Sequence, residues 1–282
     1  MEIANIEIQS VSDTELSWAP LTIMPIGDIQ LGASGCDLDR LKADITWGLE
    51  HDAMYIGMGD YVDVASPSNR MALRAVKLYD SVHQALQGDA ERRIDDLMRI
   101  LRPTAGRWLG LLEGHHYYPF SDGTTTDTRL AGLLGTTFLG TCAFVELHFV
   151  RANSNGRRSF TIFAHHGAGG GRTSGAPLLT LERVALHFDA DLYLMGHQHK
   201  KTTAPLSMLY KSGDKLRHRV RRLVGTGSYL KAYYLGSQAE GRPQGGYAEK
   251  ALMGPVELGC VRVHIQPVHA NERDYIDFTV EV

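Results

Sequence analysis

The chain has 282 residues, and its 43% of hydrophobic residues supplies enough apolar side chains for the core of one large domain. A formal net charge of −3 at pH 7 excludes a global attraction to nucleic acid or to an anionic membrane. Three cysteines, Cys36, Cys142 and Cys260, lack CxxC spacing, which argues against a disulfide framework or a thiolate metal site. We therefore expect a single domain over residues 1–282.

The N-terminal sequence shows no signal peptide, because it lacks a basic start followed by an apolar core. No apolar run approaches the length of about 18 residues that crosses a bilayer. These features, together with the cysteine pattern, predict a cytoplasmic protein with no membrane partner.

Strand patterns alternate with amphipathic helical patterns from residue 21 onward. The run at 21–26 predicts a strand, 37–51 a helix and 53–60 a second strand. Residues 67–102 predict a helical insertion made of two helices, which separate at Gly88 with Asp89 as the N-cap of the second.

The later part of the chain continues this alternation and then changes. A polar loop and a helix are predicted at 121–135, strands near 142–150, 159–164 and 191–196, and a helix at 177–188. From residue 204 the pattern is that of strands and turns, with a basic β-hairpin at about 204–225 that turns at Ser212, Gly213 and Asp214.

Five short motifs that contain Asp or His follow predicted strands. They are GDIQ at 27–30, GDYVD at 59–63, GHHY at 114–117, AHHG at 164–167 and GHQH at 196–199. Because the carboxyl ends of strands in an open α/β sheet assemble a site, we expect these residues to converge. Asp, His and amide oxygen are ligands for Mn²⁺, Fe²⁺ or Zn²⁺, and two such ions can clamp a phosphoryl displacement.

In this order the motifs resemble the calcineurin-like metallophosphoesterase superfamily, whose pattern is D-x-H, GDxxD, GNH[D/E], a His after a strand, and GHxH. The resemblance covers about residues 21–235. It implies an α/β fold with a two-layer β-sandwich flanked by helices. It also implies phosphoester hydrolysis by a hydroxide held between two divalent ions. The run FAHHGAGGGR at 163–172 is similar to members encoded by phages and mobile elements.

The resemblance also implies roles for individual residues. Asp60 would bridge the two ions, and His116 would be the catalytic residue that contacts the phosphate and protonates the leaving group. Of the adjacent histidines, His165 is preferred as the ligand and His166 as a substrate contact. The implied metal ligands are Asp28, Gln30, Asp60, His115, His165, His197 and His199.

Three positions depart from the family pattern. Gln30 stands where the family has His, and its amide oxygen is a harder and weaker donor, so Mn²⁺ or Mg²⁺ is favoured over Zn²⁺. His115 replaces the family Asn, and Tyr117 replaces an acidic residue. We expect two divalent ions, Mn²⁺ first and Mg²⁺, Fe²⁺, Zn²⁺ or Ni²⁺ as alternatives. The departures keep open a member that binds a metal or nucleic acid without turnover.

Two further features bear on the substrate. Arg172 lies in a glycine-rich run that either contacts a phosphate or forms a flexible loop. Between Lys200 and Lys231 stand 9 Lys or Arg residues and one acidic residue, Asp214, which predicts either a nucleic-acid track or a solvated hairpin face. Phosphodiesters of nucleotide or nucleic-acid type are the favoured substrates, with phosphomonoesters as the alternative. Asp63 is expected to orient its loop or a ligand histidine and not to bind metal.

Overall fold

The computed structural model describes residues 1–9, 18–76, 79–151, 156–237, 246–270 and 273–282. Its helices are α1 Leu38–Glu50, α2 Pro67–Ala75, α3 Asp80–Leu101, α4 Thr126–Leu134, α5 Ala176–Val184 and α6 Tyr247–Lys250. The strands are β1 Glu2–Gln9, β2 Leu21–Ile26, β3 Met54–Gly57, β4 Trp108–Leu112, β5 Phe138–Gly140, β6 Cys142–Val150, β7 Arg157–His165, β8 Leu192–Met195, β9 Lys201–Ser212, β10 Lys215–Ser228, β11 Gly259–Cys260, β12 Arg262–Ala270 and β13 Arg273–Glu281.

Within the described residues the strands form two sheets. One has the order β1-β6-β7-β8-β10-β11, with β9 paired to β10, and the other has the order β13-β12-β2-β3-β4-β5. Strands β2 to β5 pair in parallel, as do β7 with β8 and β8 with β10. The carboxyl ends of these strands therefore lie at one edge of each sheet. Strand β1, which the sequence pattern did not predict, pairs in parallel with β6.

The two sheets pack face to face through alternate strand residues. Ile23 and Ile56 of one sheet meet Leu147 and Ile162 of the other in a fully buried cluster. The next residue along β2, Met24, points to the opposite face of its sheet, where it packs with helix residues. The two-layer β-sandwich predicted from the sequence is confirmed.

Helices cover the outer faces of both sheets. Helices α1, α3 and α4 pack on the sheet that contains β2, through residues such as Leu41, Leu97 and Leu130. Helix α5 packs on the other sheet, with Leu181 among Phe163 and its neighbours. None of the helices in the described ranges has both the length and the apolar composition needed to cross a membrane.

Capping side chains account for several helix ends. Asp37 accepts a hydrogen bond from the Arg40 N–H at the start of α1, and Ser66 accepts one from the Asn69 N–H at the start of α2. Gly135 ends α4 in the left-handed conformation. These are short-range signals, which explains why they are visible in the sequence.

The helical insertion is present, but its division was predicted wrongly. Helix α3 runs through Gly88 and Asp89 without interruption, and the break lies instead between Ala75 and Asp80. Glycine inside a helix costs only about 1 kcal/mol relative to alanine. Asp89, which was expected to cap a helix, instead pairs with Arg92 and Arg93 one turn later. We call α2 and α3 together the helical pair; residues 77 and 78 between them lie outside the described residues.

Strands β9 and β10 form the predicted hairpin, which is longer than the sheet it joins. Strand β10 pairs with β8 only over Arg222 to Gly225, so residues 215–221 precede the amino end of β8. The turn at Gly213 is therefore at the end of the sheet opposite to the strand ends that carry the five motifs. Around this turn the side chains of both strands are exposed.

Candidate metal centre

The backbone at the motif-bearing strand ends adopts a conformation that is unusual for residues other than glycine. Seven such residues have positive φ in the described part of the chain, and five of them belong to the motifs. A left-handed conformation is uncommon outside glycine and concentrates at functional sites. The five, with φ between 47° and 64°, are Asp28, Gln30, Asp60, His197 and His199.

Glycines beside these residues allow the loops to approach each other closely. A Cβ on Gly114 would lie 2.2 Å from Asp60 Oδ1, and one on Gly196 would lie 2.9 Å from Asp28 Oδ2. A Cβ on Gly59 would lie 2.6 Å from His166 Nδ1. Larger residues at these positions would push the carboxylates and His166 out of place.

Asp60 is buried and uses only one of its two carboxylate oxygens in hydrogen bonds. Its Oδ1 accepts hydrogen bonds from the backbone N–H groups of His115 and His116. Its Oδ2 lies 3.3 Å from His166 Nε2 and 4.0 Å from His116 Nε2. The two hydrogen bonds to Oδ1 orient the carboxylate, and Oδ2 faces the two histidine rings.

Asp28 is held in the same way. Its Oδ2 accepts a hydrogen bond of 2.8 Å from the His197 backbone N–H, while its Oδ1 lies 3.2 Å from His199 Nε2. The Gln30 amide nitrogen lies 3.4 Å from the same His199 nitrogen, and the Gln30 side chain is buried. The structure thus places Gln30 beside Asp28 and His199, and its role as a metal ligand, either direct or through a bound water, stays a prediction.

Three histidines complete the cluster. His115 Nδ1 lies 3.2 Å from His197 Nδ1, and both rings pack edge-on or tilted against His166. The potential ligand atoms form two groups, each with its atoms within 4.8 Å of one another. One group is His115, His166 and His197, and the other is Asp28, Asp60 and His166.

Three ligand atoms of this cluster are buried and form no hydrogen bond with the described residues: Asp28 Oδ1, Asp60 Oδ2 and His166 Nε2. Buried polar atoms without partners are costly, so their presence in one cluster indicates a ligand that satisfies them. Ligand atoms about 2.1 Å from a shared cation are about 3.0 to 3.4 Å apart, which matches the separations above. The donor set of carboxylate, imidazole and amide groups therefore fits a divalent metal.

The structure distinguishes between the adjacent histidines in a way the sequence did not. His166 is 2% exposed, and its Nδ1 donates to the Met58 carbonyl oxygen at 2.6 Å, which leaves Nε2 to face Asp60. His165 is half-buried, and its Nδ1 accepts a hydrogen bond from the Gly167 N–H. These contacts do not support the preference for His165 as the ligand.

A signal for this choice was present in the sequence. Phe160, Ile162 and Ala164 of β7 point toward the opposite sheet, and the same alternation continues to His166. His165 lies on the other face of the strand, where Phe163 packs against α5. The period of two thus predicts which histidine lies between the sheets.

Electrostatics within the cluster pair Asp60 with His166. Burial lowers the pKa of His166, but the nearby Asp60 carboxylate, whose Oδ2 lies 3.3 Å from Nε2, outweighs burial and raises that pKa to about 9. Burial raises the pKa of Asp60, yet His166 holds it below the ordinary range. Because His166 must lose its proton to bind a metal, we expect metal affinity to fall as the pH drops below about 9. Burial and the charge of His166 lower the pKa of His115 to about 4, so that ring is neutral at pH 7.

His116 lies at the rim of the cluster and is only partly exposed. Its Nδ1 donates to Asp63 Oδ1 at 2.7 Å, so Nε2 is directed toward Asp60. Burial lowers the pKa of His116, but the hydrogen bond to Asp63 and the charge of Asp60 raise it above the ordinary value. Asp63 does orient a histidine, but this is His116 and not one of the implied metal ligands. The imidazole is held with Nε2 toward Asp60.

The structure does not bring Arg172 into this cluster. Its side chain is exposed on the glycine-rich run after His166. Lys200 ties that run to the GHQH strand end, because its Nζ donates to the carbonyl oxygens of Gly171 and Thr173. A role of Arg172 in phosphate binding stays a prediction.

Comparison with known proteins gives distant structural likeness only. No protein-family model matches the chain, and no curated protein matches it. Vacuolar Protein Sorting 29 from Cryptosporidium parvum is similar at 13% identity and a TM-score of 0.35, over 93% of this chain and 97% of that one. A predicted phosphoesterase from Streptococcus pneumoniae TIGR4 is similar at 13% identity and 0.32, over 92% and 89%. Vps29 from Entamoeba histolytica, complexed with zinc, is similar at 12% identity and 0.35, over 92% and 99%.

Proposed function

We propose that this protein is a metal-dependent phosphoesterase that hydrolyses phosphodiester bonds of nucleotide or nucleic-acid type. The observation that carries the proposal is the convergence of buried ligand atoms without hydrogen-bond partners on Asp28, Asp60 and His166. A purely structural role does not require unpaired buried atoms at three strand ends, whereas a metal centre does.

The residues that would hold metal come from all five motifs. Divalent cations bound there would supply Lewis acidity and lower the pKa of a water nucleophile. Two ions, with Mn²⁺ preferred, are the finer part of the proposal, supported by the two overlapping ligand groups. We call this set the metal centre: Asp28, Gln30, Asp60, His115, His166, His197 and His199.

The chain itself supplies the proton for the leaving group. Asp63 fixes the His116 ring through Nδ1 and favours its protonated form, and Nε2 faces the metal centre. In the proposed reaction a water oxygen bonds to phosphorus and its proton passes to solvent, while the bond between phosphorus and the leaving oxygen breaks and His116 Nε2 donates its proton to that leaving oxygen. No covalent intermediate on the protein is required.

The first experiment is hydrolysis of bis(p-nitrophenyl) phosphate by metal-stripped protein, with and without added Mn²⁺. The proposal predicts Mn²⁺-dependent release of nitrophenol. The monoester p-nitrophenyl phosphate is assayed in parallel, and faster turnover of the monoester would replace the diesterase assignment by a phosphatase. No release from either substrate with any divalent metal would contradict the enzyme and leave a metal-binding protein.

Finer assignments extend this proposal. Nucleic acid is proposed as a partner of the basic residues between Lys200 and Lys231 because acidic residues are scarce there. Kinship with proteins of phages and mobile elements is supported by the run at 163–172, and a cytoplasmic location by composition. All three stay predictions.

A further inference from the structure

We infer that Arg70 and Arg93 of the helical pair are positioning residues for the metal centre. Both reach from the helices to backbone carbonyl oxygens of the loops that carry the motif residues. The inference rests on the proposed function, since it concerns the placement of that reaction's residues. In this inference the helical pair fixes the positions of the first three motif loops through contacts with their backbones.

Arg70 joins the second and third motif loops. Its Nη1 lies 2.6 Å from the carbonyl oxygens of Ala65 and His115 and 3.2 Å from that of Tyr117. The guanidinium also stacks over the Tyr117 ring, 3.9 Å from its centroid. The loop that carries His115 and His116 is thus held on both sides of His116 by one half-buried arginine.

Arg93 joins the first and second motif loops. Its Nη1 donates to the Asp63 carbonyl oxygen at 2.7 Å and to that of Leu31 at 3.3 Å, while its Nε is held by Asp89 at 2.6 Å. A Cβ on Gly32, where φ is 110°, would lie 1.2 Å from this Nη1. The first loop therefore needs glycine at this position to admit the guanidinium.

The contacts form a continuous path from the helical pair to the proton donor. Arg93 holds the backbone of Asp63, whose side chain holds the His116 ring, and Arg70 holds the backbone on both sides of His116. Small displacements of reacting groups can lower a rate by about 100-fold. Charge-assisted donors to several carbonyl oxygens are suited to prevent such displacement, because the rigid guanidinium presents several N–H groups at once.

The test compares Arg70→Met with Arg99→Met, a matched control on α3 whose exposed guanidinium pairs only with Asp96 in the described structure. We expect Arg70→Met to lower kcat/KM for bis(p-nitrophenyl) phosphate by about 10 to 100-fold, chiefly through kcat, and to weaken Mn²⁺ binding measured by calorimetry. Arg70→Lys, which keeps a charged donor, should recover most of the loss. Circular dichroism and thermal unfolding monitor the fold.

Equal kcat/KM and equal Mn²⁺ affinity in Arg70→Met and Arg99→Met would overturn the inference. If Arg70→Met does not fold, Arg70→Lys and Arg99→Lys are compared in the same assays, and equality overturns it again. Wild-type protein that binds Mn²⁺ without hydrolysis contradicts the proposed function alone, since Mn²⁺ affinity still reports on Arg70. If the wild-type protein hydrolyses the substrate and Arg70→Met lowers kcat/KM, the result supports both the proposed function and the positioning role of Arg70.

Discussion

The metal centre and the β9–β10 hairpin are both rich in ionisable residues, but these residues are buried or half-buried at the metal centre and mostly exposed on the hairpin. At the metal centre Asp28 and Asp60 are at most 1% exposed, and each keeps one oxygen without a hydrogen bond among the described residues. On the hairpin, Lys215 and Arg217 are exposed, and Arg219 pairs with nearby aspartates. A buried carboxylate oxygen that lacks a hydrogen bond indicates a ligand, whereas a charge that is exposed or paired near the surface is satisfied without one.

The two regions also lie at opposite ends of the same sheet. The metal centre follows the carboxyl ends of the strands, whereas the hairpin turn at Gly213 extends beyond the amino end of β8. Only the start of β9 and the end of β10 approach the metal centre. Contact of a polyanion with the hairpin tip is therefore a separate event from entry of a phosphate into the metal centre.

Among substitutions in the two regions, Asp60→Asn is expected to have the largest effect on hydrolysis. Removal of the buried charge should lower Mn²⁺-dependent hydrolysis by at least about 1,000-fold, equivalent to about 4 kcal/mol, and should weaken metal binding. Asp39→Asn, on an exposed face of α1, should leave both unchanged. Full activity in Asp60→Asn, measured with bis(p-nitrophenyl) phosphate, would remove Asp60 from the mechanism.

A second prediction concerns the buried carboxyl group of Asp127, whose Oδ2 accepts a hydrogen bond from the Gly114 N–H. Burial raises the pKa of Asp127 to about 7, whereas the unfolded value is about 3.9. Because the unfolded chain loses this proton at lower pH than the folded chain, the contribution of Asp127 to stability is lost as pH rises from about 4 to 7.

Relative to Asp127→Asn, the wild-type free energy of unfolding should therefore fall by up to about 4 kcal/mol over this range. Urea unfolding of both proteins at several pH values measures the difference. Parallel pH profiles for the two proteins would show that Asp127 titrates normally.

A third prediction compares glycines of the two regions. Gly59 has φ of 90°, and an added Cβ would meet His166 and the Gly114 backbone within 2.7 Å. Gly213 has φ of 58°, and no atom of the described chain lies within 4 Å of its Cβ position. We expect Gly59→Ala to cost about 3 kcal/mol and Gly213→Ala about 1 kcal/mol in urea unfolding. Equal costs would mean that the metal-centre loops relax easily.

A fourth prediction separates the adjacent histidines. His166→Ala should weaken Mn²⁺ binding by about 10 to 100-fold, because it removes the imidazole that faces Asp60. His165→Ala should change the affinity by less than about 3-fold, since its contact is with the Gly167 backbone. Calorimetric titration of both variants measures this, and the reverse order would restore His165 as the ligand.

The smallest effect is expected on the hairpin. Replacement of Lys211, Lys215 and Arg217 by serine should change hydrolysis of bis(p-nitrophenyl) phosphate by less than about 2-fold, because these residues are remote from the metal centre. If nucleic acid binds the hairpin, the slope of the logarithm of the DNA-binding constant against the logarithm of salt concentration should become shallower by about 3 in the triple variant. An unchanged slope would identify the hairpin face as merely solvated.

The sequence predicted the convergence of the five motifs from local patterns, whereas the sandwich was predicted from the family resemblance that those motifs carry. Strands show as apolar runs, and the site residues follow them directly. The continuity of α3 through Gly88 was missed, because packing of Ile94 and Leu97 outweighs one glycine. The contacts of Arg70 and Arg93 were also missed, because they link positions about 45 and 30 residues apart without a local pattern.

The left-handed backbone of the motif residues has a consequence for engineering. Asp28, Gln30, Asp60, His197 and His199 each hold a conformation that costs side chains other than glycine about 1 to 2 kcal/mol. Gln30→Gly would relieve that strain while deleting a candidate ligand. Selection for thermal robustness alone would therefore drift toward loss of the metal centre, so any improvement of this scaffold should screen metal binding alongside stability.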